Sequence, residues 1–160
     1  MEAEIVSLAG KFRKRWKNYL GQSLLAIGIF SAVLLLLNVQ ENPIITASVG
    51  ATTFVVFAIP SDVTANARNI IGGHAIGVLA GALSGWVLLE GYSFLFYSMA
   101  VGISIFLMVV TDCEHPPASG TALGLAITGP QLGIVLTLFL CIIPLAVVHE
   151  VFRSRLRDLR

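Results

Sequence analysis

The chain has 160 residues, of which 56% are hydrophobic and only 12% are charged, and its mean hydropathy is +0.88. A soluble domain usually carries about a quarter charged residues, so this composition excludes an ordinary soluble protein. The net charge of +1 gives no reason to expect a nucleic-acid partner. Because long apolar runs need lipid as their solvent, we expect an integral membrane protein whose main partner is membrane lipid.

Four apolar runs are long enough to cross a bilayer. The first, Leu20–Val39, follows a basic stretch at residues 11–17 and is too long for a signal peptide, so it predicts a transmembrane helix. The others are Asn69–Leu89, Phe94–Val110 and Leu132–His149. As helices, these runs would measure roughly 26–32 Å, against a hydrocarbon core of about 30 Å.

Two further apolar segments, Pro43–Pro60 and Pro116–Thr128, are interrupted and rich in small residues, and each begins with proline. In each, a glycine (Gly50 or Gly120) is followed ten residues later by a proline. We therefore predict an all-α membrane protein with about six membrane segments, four full spans plus two interrupted or half-helix segments. Two inverted three-segment repeats would contain them. A four-span arrangement, in which both interrupted segments re-enter, stays open.

Basic residues are distributed asymmetrically. With six passes, all ten Lys and Arg residues fall on one side, which the positive-inside rule makes cytoplasmic. With four passes, Arg68 alone would lie outside. We expect one transmembrane domain over residues 1–160, and both termini in the cytoplasm. Its parts are a basic N-terminus at 1–19, membrane segments at 20–110 and 111–149, and a basic tail at 150–160.

Four glycines recur at four-residue spacing between Asn69 and Leu89: Gly73, Gly77, Gly81 and Gly85. This spacing makes a flat helix face that another backbone can approach closely, which indicates helix packing. The partner helix would belong to the same chain or to a second copy, and we expect a homo-oligomer. His74 lies beside this face. A buried histidine is commonly a hydrogen-bonded structural group, but a polar ring is costly inside a membrane, which favours a functional role.

The interrupted segments place prolines before small and hydroxylated residues, as at a helix N-terminus. Free backbone amides there carry partial positive charge and attract small anions, although proline and glycine also simply let helices bend and pack. The spans lack buried carboxylates, which disfavours a cation path. We therefore predict a small-anion transporter or channel. Its candidate substrate-binding residues are Ser48, Gly50, Thr52, Arg68, His74, His115, Pro116, Pro117, Ser119, Gly120 and Thr121.

The sequence bears on two other classes of function. An enzyme would need a nucleophile or paired carboxylates at one depth, and the chain offers neither, so we expect no catalytic residues and no cofactor. The run Asp112-Cys113-Glu114-His115 is not expected to bind a metal, because four consecutive side chains cannot converge on one ion. A non-transporting membrane assembly or regulatory subunit would explain the packing glycines equally well and remains the alternative.

The stretch Glu114–Gly120, EHPPASG, resembles the HPP family of integral membrane proteins. The resemblance extends through Thr46–Thr52 and Ala67–His74 and covers roughly Lys17 to Val151. It implies a membrane protein of bacteria and plant plastids, usually described with four spans, here expected in the bacterial inner membrane. Some plant and cyanobacterial members are associated with nitrite transport, so nitrite is the substrate that the resemblance implies.

Overall fold

The computed structural model describes residues 2–37, 42–85 and 93–160. The described residues form six α-helices and a single-turn 3-10 helix at Val63–Ala65, without a strand. In chain order, the α-helices are α1 (Glu2–Leu37), α2 (Pro43–Ala58), α3 (Ala67–Gly85), α4 (Ser93–Val110), α5 (Pro117–Thr128) and α6 (Leu132–Phe152). The prediction of an all-α membrane protein is confirmed at this level. The inverted repeat stays a prediction.

Three of the described helices are long and apolar enough to cross a membrane: α4, α6 and the part of α1 over Gly10–Leu35. They present large apolar side chains outward, as lipid-facing helices do; Phe106 on α4, for example, is 65% exposed. The fourth predicted span corresponds to α3, which has 19 residues but is not among these three. Residues 86–89 of that predicted span, and residues 38–39 of the first one, lie outside the described residues.

Each interrupted segment forms one continuous helix between its prolines. α2 begins at Pro43, where the side chain of Asn42 accepts a hydrogen bond from the Ile45 amide, and it ends just before Pro60. α5 begins at Pro117 and ends at Thr128; the next residue is Gly129, whose φ of 78° suits a residue without a side chain. With 12 residues, α5 is only about 18 Å long and is too short to cross the bilayer alone.

α5 packs against α2, α3 and α4, and α3 is its most extensive partner. The glycine face of α3 makes this possible. A Cβ added at Gly81 would lie 2.5 Å from the carbonyl oxygen of Ala122, and one at Gly77 would meet the carbonyl oxygen of Ala118. Helix packing is therefore confirmed for these glycines, and the partner helix is α5 of the same chain.

One end of the bundle gathers the described arginines outside α1. Arg68 pairs with Asp112 at 3.4 Å, and Arg160 pairs with Asp62 at 3.4 Å. The side chain of Gln22 ties α1 to this end, because it donates to the carbonyl oxygen of Arg157 at 2.9 Å and accepts from its amide. The clustering of arginines agrees with the charge asymmetry of the sequence. The assignment of this end to the cytoplasm stays a prediction.

Candidate functional site

The prolines and glycines of the two short helices bring five polar side chains together in an otherwise apolar interior. Ser48 and Thr52 are four residues apart and therefore share one face of α2. α3 contributes His74, α5 contributes Thr121, and the loop before α5 contributes His115. Four of the five are fully buried, and Ser48 is 4% exposed. We refer to these five side chains as the buried network.

The two imidazoles meet at one hydroxyl. Thr52 Oγ1 lies 2.9 Å from His74 Nε2 and 3.0 Å from His115 Nε2. The ring centroids of the two histidines are 5.1 Å apart. The other ring nitrogen of His115, Nδ1, donates to the carbonyl oxygen of Thr64 at 2.7 Å. Thr52 therefore bridges two histidines, one of which is anchored to the backbone.

On the other side of His74, the network continues through two hydroxyls. His74 Nδ1 lies 2.9 Å from Thr121 Oγ1, which lies 2.8 Å from Ser48 Oγ. The Ser48 hydroxyl also donates to the carbonyl oxygen of Pro117 at 2.6 Å. The network thus forms one unbroken series of contacts from the Thr64 carbonyl to the Pro117 carbonyl.

Neighbouring groups hold His115 in this position. The carboxylate of Asp62 accepts hydrogen bonds from the amide and hydroxyl of Thr64, which fixes the turn whose carbonyl His115 contacts. Asn69 donates its side-chain amide to the carbonyl oxygen of Glu114 at 3.1 Å. A Cβ at Gly73 would lie 2.6 Å from the Cβ of His115, so this glycine makes room for the histidine.

The remaining predicted residues divide into two groups. Gly120 lies against Ser48, since its added Cβ would be 3.6 Å from the serine Cβ, and Ser119 accepts a hydrogen bond from Ser104 at 3.3 Å. By contrast, Arg68 lies away from the network, with 64% of its side chain exposed, and Gly50 faces Phe30 of α1.

The amides expected to bind an anion have partners within the chain. Ser48 and Thr52 lie in the interior of α2, because its first turn is at Pro43 and is capped by Asn42. At the start of α5, the amide of Ala118 donates to the carbonyl oxygen of His115 at 2.8 Å, and the amide of Ser119 donates to that of Pro116 at 3.1 Å. The structure therefore brings side chains together rather than free backbone amides. These side chains come from α3 as well as from the two short helices.

Residues that sequence reasoning missed include Asp62, Thr64 and Asn69. The spacing Asp62-Val63-Thr64 is typical of a turn in which a carboxylate accepts from the backbone two residues later, so part of the signal was present. That the carbonyl of Thr64 contacts a histidine 51 residues away has no local signature.

Comparison of the sequence with known protein families identifies the family of this chain. A model of the transmembrane region of HPP proteins matches residues 9–156, which is nearly the whole chain. The chain belongs to the HPP transmembrane family. A transmembrane protein of Dictyostelium discoideum is 31% identical over 85 residues, which are 52% of this chain and 30% of that protein. The chain thus matches less than a third of that relative's length. No solved structure matches the chain.

In this HPP protein, the His115-Pro116-Pro117 tripeptide separates two cavities. The smaller, about 210 Å³, lies on the α4 side and is lined by Glu114, His115, Pro116 and Ser119 together with apolar residues of α4. The larger, about 630 Å³, is a groove between α2 and α5 that is lined by Ser48, Pro116 and Pro117. The HPP segment therefore connects the buried network to both cavities.

Proposed function

We propose that this HPP protein is a transporter or channel for a small inorganic anion, with nitrite as the first candidate. The observation that carries the proposal is the buried network. Burying five polar side chains in a membrane protein is costly, and such groups commonly mark a transport path. An apolar interior of the same shape would hold the helices together without them.

The charges around the network favour an anion over a cation. The sequences of α2, α3, α4 and α5 contain no aspartate or glutamate, whereas a path for cations commonly keeps a buried carboxylate. The hydroxyls and imidazoles of the network donate hydrogen bonds to an anion, although Glu114 also lines the smaller cavity. Nitrite itself rests on what the family resemblance implies.

The path that we propose passes the HPP segment. His115 and Ser119 line the smaller cavity, and Ser48 lines the larger one. Ser119 is the most informative of these residues, because its only hydrogen bond from another side chain in the described residues is the 3.3 Å contact with Ser104. Its hydroxyl is thus available to an anion at little structural cost.

A non-transporting assembly or regulatory subunit is the second candidate, and one observation favours it. The groove between α2 and α5 is lined mainly by apolar side chains, among them Ile44, Phe54 and Leu123. Phe54 is 63% exposed there. Such a surface suits packing against another membrane protein.

The test is nitrite entry into liposomes that contain the purified protein, compared with empty liposomes, at a pH where almost all nitrite is ionised. We expect protein-dependent entry that Ser119→Ala lowers severalfold while the variant unfolds at the wild-type temperature. Ser98→Ala is the matched control, because the Ser98 hydroxyl is exposed on α4 and, in the part of the chain that the structure describes, bonds only to its own helix. Normal transport by Ser119→Ala would rule out this path. No entry of nitrite, nitrate, chloride or formate above background would favour the subunit.

A further inference from the structure

The buried network has more hydrogen-bond contacts than it has protons when both histidines are neutral. Six contacts join the Thr64 carbonyl to the Pro117 carbonyl through the five side chains. Outside this series, the Thr52 hydroxyl has one more acceptor, the Ser48 carbonyl of its own helix at 3.1 Å, which competes for the same proton. Each neutral imidazole and each hydroxyl supplies one proton, so the five groups supply five. Because both ends of the series are carbonyl oxygens, which only accept, one contact lacks a proton.

The contact that lacks a proton can be located by starting from His115, at the Thr64 end of the series. His115 Nδ1 must donate to the Thr64 carbonyl, so Nε2 of neutral His115 accepts the proton of Thr52. Thr52 then accepts from His74 Nε2, which leaves His74 Nδ1 to accept from Thr121. Neutral His115 and neutral His74 therefore carry their protons on different nitrogens, Nδ1 and Nε2 respectively.

At the other end, the single proton of Ser48 faces two acceptors. One is Thr121 Oγ1 at 2.8 Å and the other is the Pro117 carbonyl at 2.6 Å. A sixth proton removes the conflict. With a proton added to Nδ1 of His74, this ring donates to Thr121, Thr121 donates to Ser48, and Ser48 donates to the Pro117 carbonyl. All six contacts of the series are then filled, and the longer contact of Thr52 with the Ser48 carbonyl can only share the Thr52 proton.

The added charge has two positions that fill the same six contacts. It resides on His74 when the Thr52 hydroxyl donates to His115, and on His115 when the same hydroxyl donates to His74. Moving the charge between the rings requires only a proton transfer in and out of Thr52 Oγ1, without displacement of a heavy atom. Two imidazolium rings 5.1 Å apart would repel one another, so the pair accepts one proton.

We propose that His74, Thr52 and His115 form a binding site and relay for one transported proton, which moves together with the anion. The transport part rests on the proposed function; the proton site itself does not. The ends of the relay suit this role, because His115 lines the smaller cavity and Ser48 lines the larger one. A proton that enters at one cavity leaves at the other.

Coupling to an anion follows from the cost of charge. A lone imidazolium in the membrane interior is expensive, and so is a lone anion, but each offsets the cost of the other. Binding of either partner must then raise the affinity for the other by the same factor. One proton with one monovalent anion is electroneutral, so a gradient of one pH unit supports up to about tenfold accumulation of the anion.

Other ionisable groups surround the relay without joining it. α2 and α5 have no ionisable side chain, and α4 has only Tyr97. Arg68 pairs with Asp112, and His149 donates to the Pro60 carbonyl from α6. Within the described residues, no hydrogen bond or ion pair links the relay to the remaining ionisable groups on the packed elements: Asp62, Cys113, Glu114, Cys141 and Glu150.

The first measurement is nitrogen-15 NMR of labelled histidines in the whole protein in detergent micelles, from pH 8 to pH 4, with and without nitrite. At pH 8 we expect His115 protonated on Nδ1 and His74 on Nε2. On acidification, the two should titrate together and take up one proton, at a higher pH when nitrite is present. A pair that keeps one protonation state throughout, or takes up two protons independently, would overturn the relay.

The second measurement follows the lumenal pH of liposomes that contain the protein while nitrite is added outside. The membrane potential is set by potassium and valinomycin. Coupled transport predicts protein-dependent acidification that accompanies nitrite entry and is insensitive to potential. Nitrite entry that follows the potential without acidification would overturn the coupling and leave the proposed function intact. If no anion moves at all, the proposed function fails, and the NMR titration alone decides whether the proton site exists.

Three variants separate the relay from the packing role of its residues. Thr52→Val removes the bridging hydroxyl with little change in shape and should abolish coupled acidification and the shared titration, whereas Thr52→Ser should restore both. Thr53→Val is the matched control, since the Thr53 hydroxyl is buried on the same helix and, among the described residues, bonds only to the Val49 carbonyl. Equal proton coupling in Thr52→Val and Thr53→Val would contradict the proposal. Should Thr52→Val not fold, the wild-type titration and Thr52→Ser still test it.

Discussion

The close approach of α3 and α5 gives the most direct test of how this bundle is held together. A methyl group added at Gly81 would lie 2.5 Å from the carbonyl oxygen of Ala122 and 2.9 Å from the Cβ of Leu125. The first of these atoms belongs to the backbone, so a whole helix has to move. Overpacking of this kind typically costs about 1–3 kcal/mol.

Alanine substitutions at two other glycines provide the comparison for this cost. Gly102 on α4 has nothing within 4 Å of an added Cβ, and Gly124 on α5 would meet the Ile44 side chain at 2.9 Å. All three substitutions to alanine gain the same helix propensity, up to about 1 kcal/mol, which cancels in the comparison. The Ile44 side chain can move at about 0.5–1.5 kcal/mol. The expected order of stability is therefore Gly102→Ala, then Gly124→Ala, then Gly81→Ala.

The quantity to measure is the free energy of unfolding in mixed micelles, obtained by titration with SDS and followed through the fluorescence of the two tryptophans. We expect Gly81→Ala to be less stable than Gly102→Ala by about 1–3 kcal/mol. If the unfolding free energies of the three variants agree to within about 0.5 kcal/mol, the usual limit for independent sites, the close packing of α3 on α5 is wrong.

Two further predictions concern the end of the bundle that carries the arginines. Gln22→Leu leaves the Phe57 carbonyl without its donor and releases the C-terminal tail. We therefore expect the free energy of unfolding to fall by about 1–3 kcal/mol and amide exchange at Arg157 to become faster. Ser23→Ala is the control. Hydrogen bonds from the amide and hydroxyl of Thr64, with the nearby Arg160, hold the pKa of Asp62 below its usual value of 3.8. The ionised carboxylate therefore stabilises the fold above pH 3.8. This contribution is lost as the pH falls through the lowered pKa. An acid titration of stability should therefore show a smaller decrease for Asp62→Asn than for the wild type, and an unchanged decrease would contradict this reading.

The sequence alone determined the class of the protein and most of its helices. Apolar runs and prolines are local properties of the chain, and they predicted the helices that the structure places at Pro43–Ala58, Ser93–Val110 and Leu132–Phe152. The four-residue spacing of the α3 glycines likewise predicted a packing face. All five side chains of the buried network were among the candidate site residues, because polar groups between apolar runs stand out in a membrane sequence.

The tertiary structure decided which of those residues meet. Gly50 and Arg68 fit the sequence pattern as well as Thr52 did, yet one faces α1 and the other lies at the surface. Gln22 gave no local signal, since the atoms that it contacts lie 35 and 135 residues away. Hydropathy and spacing depend on neighbours along the chain and can place a residue on a helix face. The pairing of His74 with His115 through one hydroxyl depends on how closely the α3 glycines let α5 approach, which is set by contacts between helices distant in sequence.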